Sequence, residues 1–543
     1  MGDTCALRIF VLTLGLCLTA CSVDAVQFSA GPPPPLENCA VMGDEDGNGL
    51  ADCADVACVA DSTCIAMCGN GAVDSGESCD DGAISFGDGC DATCTPSAAF
   101  YVKAANTGPS DNFGHSLALS ADALTLSVGA IQEDSGSAID MADDSLDEAG
   151  AAYVYSRTAP NQWTHEAYVK PSNPGFADVF GWNVSLSGDG RTLVATAPGE
   201  ASNSSGVNGS PLDNSLPSAG AAYVFLRTPT GWLQNSYIKA SNPDADDQFG
   251  HSAALSGDGQ TLVIGAHRED SSARLIDGDQ ADNAASSAGA AYVFYRSGSS
   301  WIQQAYLKAP NADPNDQFGR NVAVSFDGSL VAIAAPLEAS SSQGVSATAS
   351  LDNTASGAGA VHLFRRTGTA WSYYAYVKAS NTSASDLFGS CVALSPSGNL
   401  LIVGAPNEDS SSRGVNGLQF DDLSVNSGAA YTFRRAGDSW SQIAFVKSFN
   451  SDPGDSFGSS CAVGDAHFAV GAPGESSSTT GLSSLSADNP AANAGAVCVF
   501  SASPTVVGTA SLCKISNTEA QDIFGARAVA LSQRRMGRRT IYG

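Results

Sequence analysis

Basic residues are scarce in this chain of 543: 25 Lys and Arg stand against 56 Asp and Glu, for a formal net charge of −31. No Lys or Arg occurs from residue 9 to residue 102. Nucleic-acid phosphates need neutralising by Lys and Arg, so this deficit argues against a nucleic-acid partner. It suits an acidic, soluble surface or one that collects cations. The apolar run "IFVLTLGLCLTA", after Arg8, is too short for the roughly 20 residues that cross a bilayer. The H-E-x-x-H, G-x-S-x-G and G-x-x-x-x-G-K-[ST] patterns are all missing, and there are only six His. These absences lead to the expectation that the chain is not an enzyme and takes no organic cofactor. The alternatives are a hydrolase or lyase assembled from scattered residues, and a purely structural envelope protein.

What is present begins with an export signal. Arg8 precedes the apolar run, which ends in Leu18-Thr19-Ala20-Cys21. These four residues resemble a bacterial lipobox, which implies cleavage before Cys21 and lipidation of that residue. Residues 1–20 are then the signal, and residues 21–38, with a Pro run at 32–35, a stiff tether. The expectation is an outer-membrane or cell-surface lipoprotein, otherwise a secreted protein, touching membrane only through its lipid.

The cysteines agree with export. Cys39, Cys53, Cys58, Cys64, Cys68, Cys79, Cys90 and Cys94 crowd one short segment and read as a disulfide framework whose pairing is not legible. Within residues 39–64, "DEDGNGLADCAD" sets Asp44, Asp46, Asn48, Asp52 and Asp55 around Gly49 at a calcium-loop spacing. Asp stands where such loops usually place a bidentate Glu. The competing reading is an acidic turn pinned by disulfides. Residues 65–97 contain "CGNGAVDSGESCDDGAISFGDGCDATC". This resembles the disulfide-rich repeat common in myxobacterial surface proteins, which implies a structural spacer and no chemistry.

From about residue 98 the chain repeats. Phe113, Phe180, Phe249, Phe318, Phe388, Phe457 and Phe524 each precede Gly, at spacings of 67, 69, 69, 70, 69 and 67. Trp163, Trp232, Trp301, Trp371 and Trp440 keep the same step. Each unit reads as four strands, typified by "FGHSAALS", "TLVIGA", "AGAAYVF" and "WIQQAYLKA". Four strands per repeat of this length predict an all-β fold, a β-propeller of six complete blades plus a partial seventh.

Phe388-Gly389 with Gly404-Ala405-Pro406, and Phe457-Gly458 with Gly471-Ala472-Pro473, look like the FG-GAP repeat of the integrin α-chain propeller. The resemblance covers residues 98–533 and implies a cell-surface binding or adhesion protein. Its partner would be an extracellular protein or polysaccharide. Integrin-type repeats often hold calcium in a D-x-D-x-D-G loop between their first two strands. Here that loop is "SGDGQ" or "SPSGN", too short and too poor in carboxylates for the site to carry over.

All seven Lys fall at one repeat position: Lys103, Lys170, Lys239, Lys308, Lys378, Lys447 and Lys514. Eight residues on stand Asp111, Asp178, Asp247, Asp316, Asp386, Asp455 and Asp522. The line recurs because it joins one blade to the next. Two arrangements would serve: a blade-to-blade Lys–Asp contact, or Asp capping the turn while Lys lies along the sheet edge. The long links between strands two and three carry acids once per blade, such as Glu200 with Asp213, Glu269 with Asp282, Glu338 with Asp352, and Glu408 with Asp421. They invite calcium on one reading and are solvated Asx-turns on the other. Residues 534–543 break the composition with four Arg. A frameshift or early end near Gln533 would account for them, as would a basic tail for anionic envelope polymers.

Overall fold

The computed structural model describes residues 102–159, 162–478, 482–483, 489–502 and 507–513, with only the backbone of 482–483 and 507–513. The chain divides into two units, Met1–Met67 and Cys68–Gly543, and every described residue lies in the second. The disulfide framework, the calcium-loop residues, Cys21 and the tail lie outside the described residues.

Six antiparallel sheets follow one another along the chain. Blade three shows the pattern: Ser252–Leu255, Thr261–Ala266, Ala290–Ser297 and Ser300–Leu307, paired in that order. The other blades begin at Phe113, Val184, Asn321, Cys391 and Ser460. This is a six-bladed, all-β propeller of four-stranded blades. The residues from which a partial seventh blade was expected lie largely outside the described residues. The stretch around Lys103, expected to be that blade's fourth strand, is irregular where it is described.

The strand types follow from where each strand sits. Second strands such as Thr261–Ala266 are buried on both faces. That is why they read as short continuous apolar runs and not as alternating ones. Third and fourth strands end in exposed hairpins and share a register shift, between Val293 and Phe294 in blade three and at matching places in blades one, two, four and five. Such bulges increase the local twist of a sheet.

The core lies between blades and not within them. Val194, Val224 and Ile238 of blade two pack against Phe249, Leu262, Ile264 and Tyr292 of blade three. Equivalent layers join each later pair. First strands of successive blades are neighbours throughout, and they line the axis. Between blades five and six that contact is covalent, through a Cys391–Cys461 disulfide.

Candidate functional site

Because strands alternate in direction, the start of strand one, the loop after strand two and the end of strand four all reach the same face of the disc. The joints between blades lie there, and each holds a buried polar network. In blade three the Nζ of Lys308 lies 2.8 Å from Glu269, both side chains being almost wholly buried. Tyr306 donates its hydroxyl to the same carboxylate at 2.6 Å, and Asn242 its amide at 3.1 Å. Tyr292 completes the set by donating to Asn242 at 2.7 Å.

The same ion pair recurs as Lys170–Glu133, Lys239–Glu200, Lys378–Glu338 and Lys447–Glu408, at 2.7–3.0 Å. Each pair lies within one blade, tying the loop after strand two to the end of strand four. Asn106, Asn173, Asn311 and Asn381 repeat the role of Asn242 from the preceding joint. Burial pulls every one of these lysines below its usual pKa, opposed by the adjacent Glu. Lys103, ahead of blade one, is exposed, and its carbonyl accepts the hydroxyl of Tyr155 at 2.7 Å.

The expected Lys–Asp contact is therefore corrected: the partner of Lys is Glu. Asp instead caps the turn, as in the second of the two expected arrangements. Asp247 accepts the backbone N–H of Asp244 at 3.0 Å, and Asp111, Asp316, Asp386 and Asp455 each accept the N–H three residues earlier. Asp178 accepts that of Gly175 in the same way. The turn needs this cap because its backbone is costly. Asp246 and Gln248 flank Asp247 at φ 67° and 55°, and Val179 and Leu387 adopt 52° and 58° at the equivalent place. Left-handed backbone is rare for such residues. Gly220 (φ 82°) then lets the next Phe approach, since a Cβ there would lie 2.0 Å from the carbonyl of Phe249.

The long loops have a mechanical reason for their length. Val207, Ile276 and Val415 bridge to strand four of their blades, and Val345–Ser346 and Leu482–Ser483 pair there as short strands. Each loop thus folds back over the outer edge strand and covers its open backbone groups. Loop acids expected to act in pairs are kept apart. Glu269 is held by Lys308, whereas Asp282 accepts the backbone N–H of Ser272 at 3.0 Å. Asp352 and Asp421 do likewise with Ser341 and Ser411. Among the described residues no group of three or more His, Cys, Asp or Glu is placed to hold a metal.

Sequence reasoning missed the Glu partner, the Asn–Tyr relay and the inter-blade disulfide. A signal existed for two of these: Glu200, Glu269 and Glu408 repeat as faithfully as Lys, and Cys391 and Cys461 both follow Phe-Gly, about one repeat apart. The loops also carry exposed apolar side chains. Ile139, Leu212, Leu275 and Leu351 stand out on blades one to four, and Leu418, Phe420 and Leu423 on blade five.

The FG-GAP repeat family matches residues 232–294 and 371–433, each spanning strand four of one blade through strand three of the next. No curated protein matches the chain. Among solved structures it is similar to a putative 6-phosphogluconolactonase from Bacteroides uniformis (10% identity, TM-score 0.40, 74% of this chain and 86% of that one). It is also similar to the Pseudomonas aeruginosa periplasmic gluconolactonase PpgL (14%, 0.42, 77% and 88%). A third is Kuenenia stuttgartiensis hydrazine synthase (11%, 0.41, 80% and 93%). The expectation that the chain is not an enzyme is corrected by these neighbours, since two of them are described as lactonases. Likeness at 10–14% identity assigns this chain no activity of its own.

Proposed function

We propose that this chain is an exported binding or adhesion protein, and that the loop-bearing face of its propeller engages an extracellular protein or polysaccharide. The carrying observation is the exposed apolar side chains on the loops of blades one to five, at the rim of one face. Large apolar side chains gathered on one face mark interaction surfaces. Blade five is the densest, with Leu418 and Phe420 80% and 76% exposed beside the acidic Asp421 and Asp422. The FG-GAP repeats support the reading, as does the Cys391–Cys461 bridge, a bond that forms in oxidising compartments.

In this proposal Cys21 carries the lipid and residues 39–97 form a disulfide-bonded stalk, with Asp44, Asp46, Asn48, Asp52 and Asp55 stiffened by calcium. The test is retention of chain-displaying cells on protein- and polysaccharide-coated surfaces, with and without Leu418→Ser, Phe420→Ser and Leu423→Ser combined. Loss of retention at unchanged melting temperature supports the proposal. Retention equal to that of cells lacking the chain, before any substitution, sinks it.

A further inference from the structure

One part of the same face departs from the repeat. The second residue after each Phe, at the start of the axial strand, is His115, Trp182, His251, Arg320, Ser390 and Ser459 in blades one to six. On the first four blades these residues form a chain of contacts around the axis at this face of the disc, here called the mouth. The rings of His115 and Trp182 lie 4.7 Å apart, and those of Trp182 and His251 5.5 Å apart. Trp182 donates its indole N–H to the carbonyl of His251 at 3.0 Å, and the Nδ1 of His251 lies 3.2 Å from the carbonyl of Arg320.

Behind this chain sits His267, whose ring is 4.0 Å from that of His251. It takes the place of Pro198, Pro336, Pro406 and Pro473 in the Gly-Ala-Pro position of other blades. It is only 2% exposed, and its Nδ1 has no hydrogen-bond partner among the described residues. Leaving a buried ring nitrogen unpaired is costly, and Pro at the same backbone position carries no such atom. The backbone itself does not ask for His here.

The charge around His267 selects the ligand class. Burial, with the neighbouring His251, Arg320 and Arg268, pushes its pKa down to about 2. In a chain of net charge −31 these basic neighbours are a local reversal of sign. A divalent cation would be repelled by the two guanidinium groups. An anionic oxygen would be attracted by them and could accept a proton donated from Nδ1 of a neutral His267.

We propose that the mouth at blades two to four binds a small anion, a carboxylate or phosphate borne on a ring. His267 would hydrogen-bond the anionic oxygen, Arg320 would supply the counter-charge, and the Trp182 and His251 rings would form the platform for the ligand ring. This site is independent of the loop rim, so either proposal can fail alone.

The test is isothermal titration of the full-length protein with glucuronate and, separately, with inorganic phosphate. Saturable binding of glucuronate is expected. His267→Pro restores the residue of four other blades and should weaken that binding at least tenfold without lowering the melting temperature. Arg320→Ser, which copies blades five and six, should also weaken it at least tenfold. Phosphate binding at the same site, lost in both variants, would assign the anion alone as the determinant. Glucuronate binding without phosphate binding would assign the ring as well. Absence of saturable binding for both probes overturns the proposal, as does glucuronate affinity unchanged in His267→Pro.

Discussion

Two sets of residues lie on the same face of this propeller and behave differently from blade to blade. At the joints, Lys, Glu, Asn and Asp recur with the same partners at nearly the same distances. At the mouth, one position is His, Trp, His, Arg, Ser and Ser in turn. Joint residues are buried and most of them satisfy one another, so a change in one is felt by the rest; in blade four, where His362 stands in place of Tyr, the Oδ1 of Asn311 has no partner among the described residues. Mouth residues are not needed to complete the fold of their own blade, and they are free to differ. Within a repeat protein, constancy marks what holds the blades together, and departure marks where the assembly meets something else.

The largest way to break this contrast is to strike the joint. Lys308→Met would leave Glu269 charged and buried without its counter-ion, at a cost of about 3–5 kcal/mol in chemical denaturation. Adding Glu269→Gln should recover a large part of that loss, because the two effects are coupled through one contact. Additive losses would show that the pair is not the unit of stability.

Next in size is the bridge between first strands. Its half-cystines are 70 residues apart, so it closes a long loop in the unfolded chain. Replacing Cys391 and Cys461 by Ser should cost about 2–4 kcal/mol, and reductant should lower the melting temperature of the parent but not of that variant.

How much of this was legible beforehand differs by the same division. Strand two of blade three was readable as "TLVIGA", and the structure places it at Thr261–Ala266, because an apolar run of that length between turn residues has few other uses. The recurrence of Lys and Asp was visible, but its partner was not. Lys308 and Asp316 are eight residues apart and obvious as a pair of opposite charges. Glu269 lies 39 residues from Lys308 and is reached only after the loop has folded back over strand four. Similarly, the acids of that loop looked like a ligand set because sequence spacing does not show that one points to a buried Lys and the other to a backbone N–H. The left-handed backbone at Val179 and Leu387 left no trace at all, since neither residue favours it. At the mouth, His251 lies within the strand-one stretch "FGHSAALS", and nothing in that stretch marks it apart. The unpaired nitrogen of His267 is a property of packing.

A third prediction uses the capping aspartates to sharpen the picture of the joint as buried and dry. Burial raises Asp247 to about 8 and Asp178, Asp316, Asp386 and Asp455 to about 7. A carboxyl whose pKa is raised on folding favours the protonated, folded form. Its contribution is complete near pH 4, falls as pH climbs toward 7–8, and is level beyond. Stability should therefore decline across that window, and Asp247→Asn should flatten the decline when denaturation midpoints are followed against pH. An unchanged slope would mean that Asp247 titrates at its ordinary value.

The smallest effect belongs to the loop acids. Asp282 is only partly covered, and its bonds to Ser272 close only a local turn. Asp282→Asn should leave the denaturation midpoint where it is in the parent. A lower midpoint would give the loops a share in holding the blade that the joint network does not need.

The contrast between joint and mouth is tested most directly by thermal melting of the parent, Lys308→Met and His267→Pro, each with and without glucuronate. Ligand that binds the folded state raises its melting temperature, so one experiment reads stability and binding together. The account predicts that Lys308→Met melts well below the parent yet is still raised by glucuronate, while His267→Pro melts with the parent and is not raised. A His267→Pro protein that loses stability, or a Lys308→Met protein that keeps it, would contradict the account.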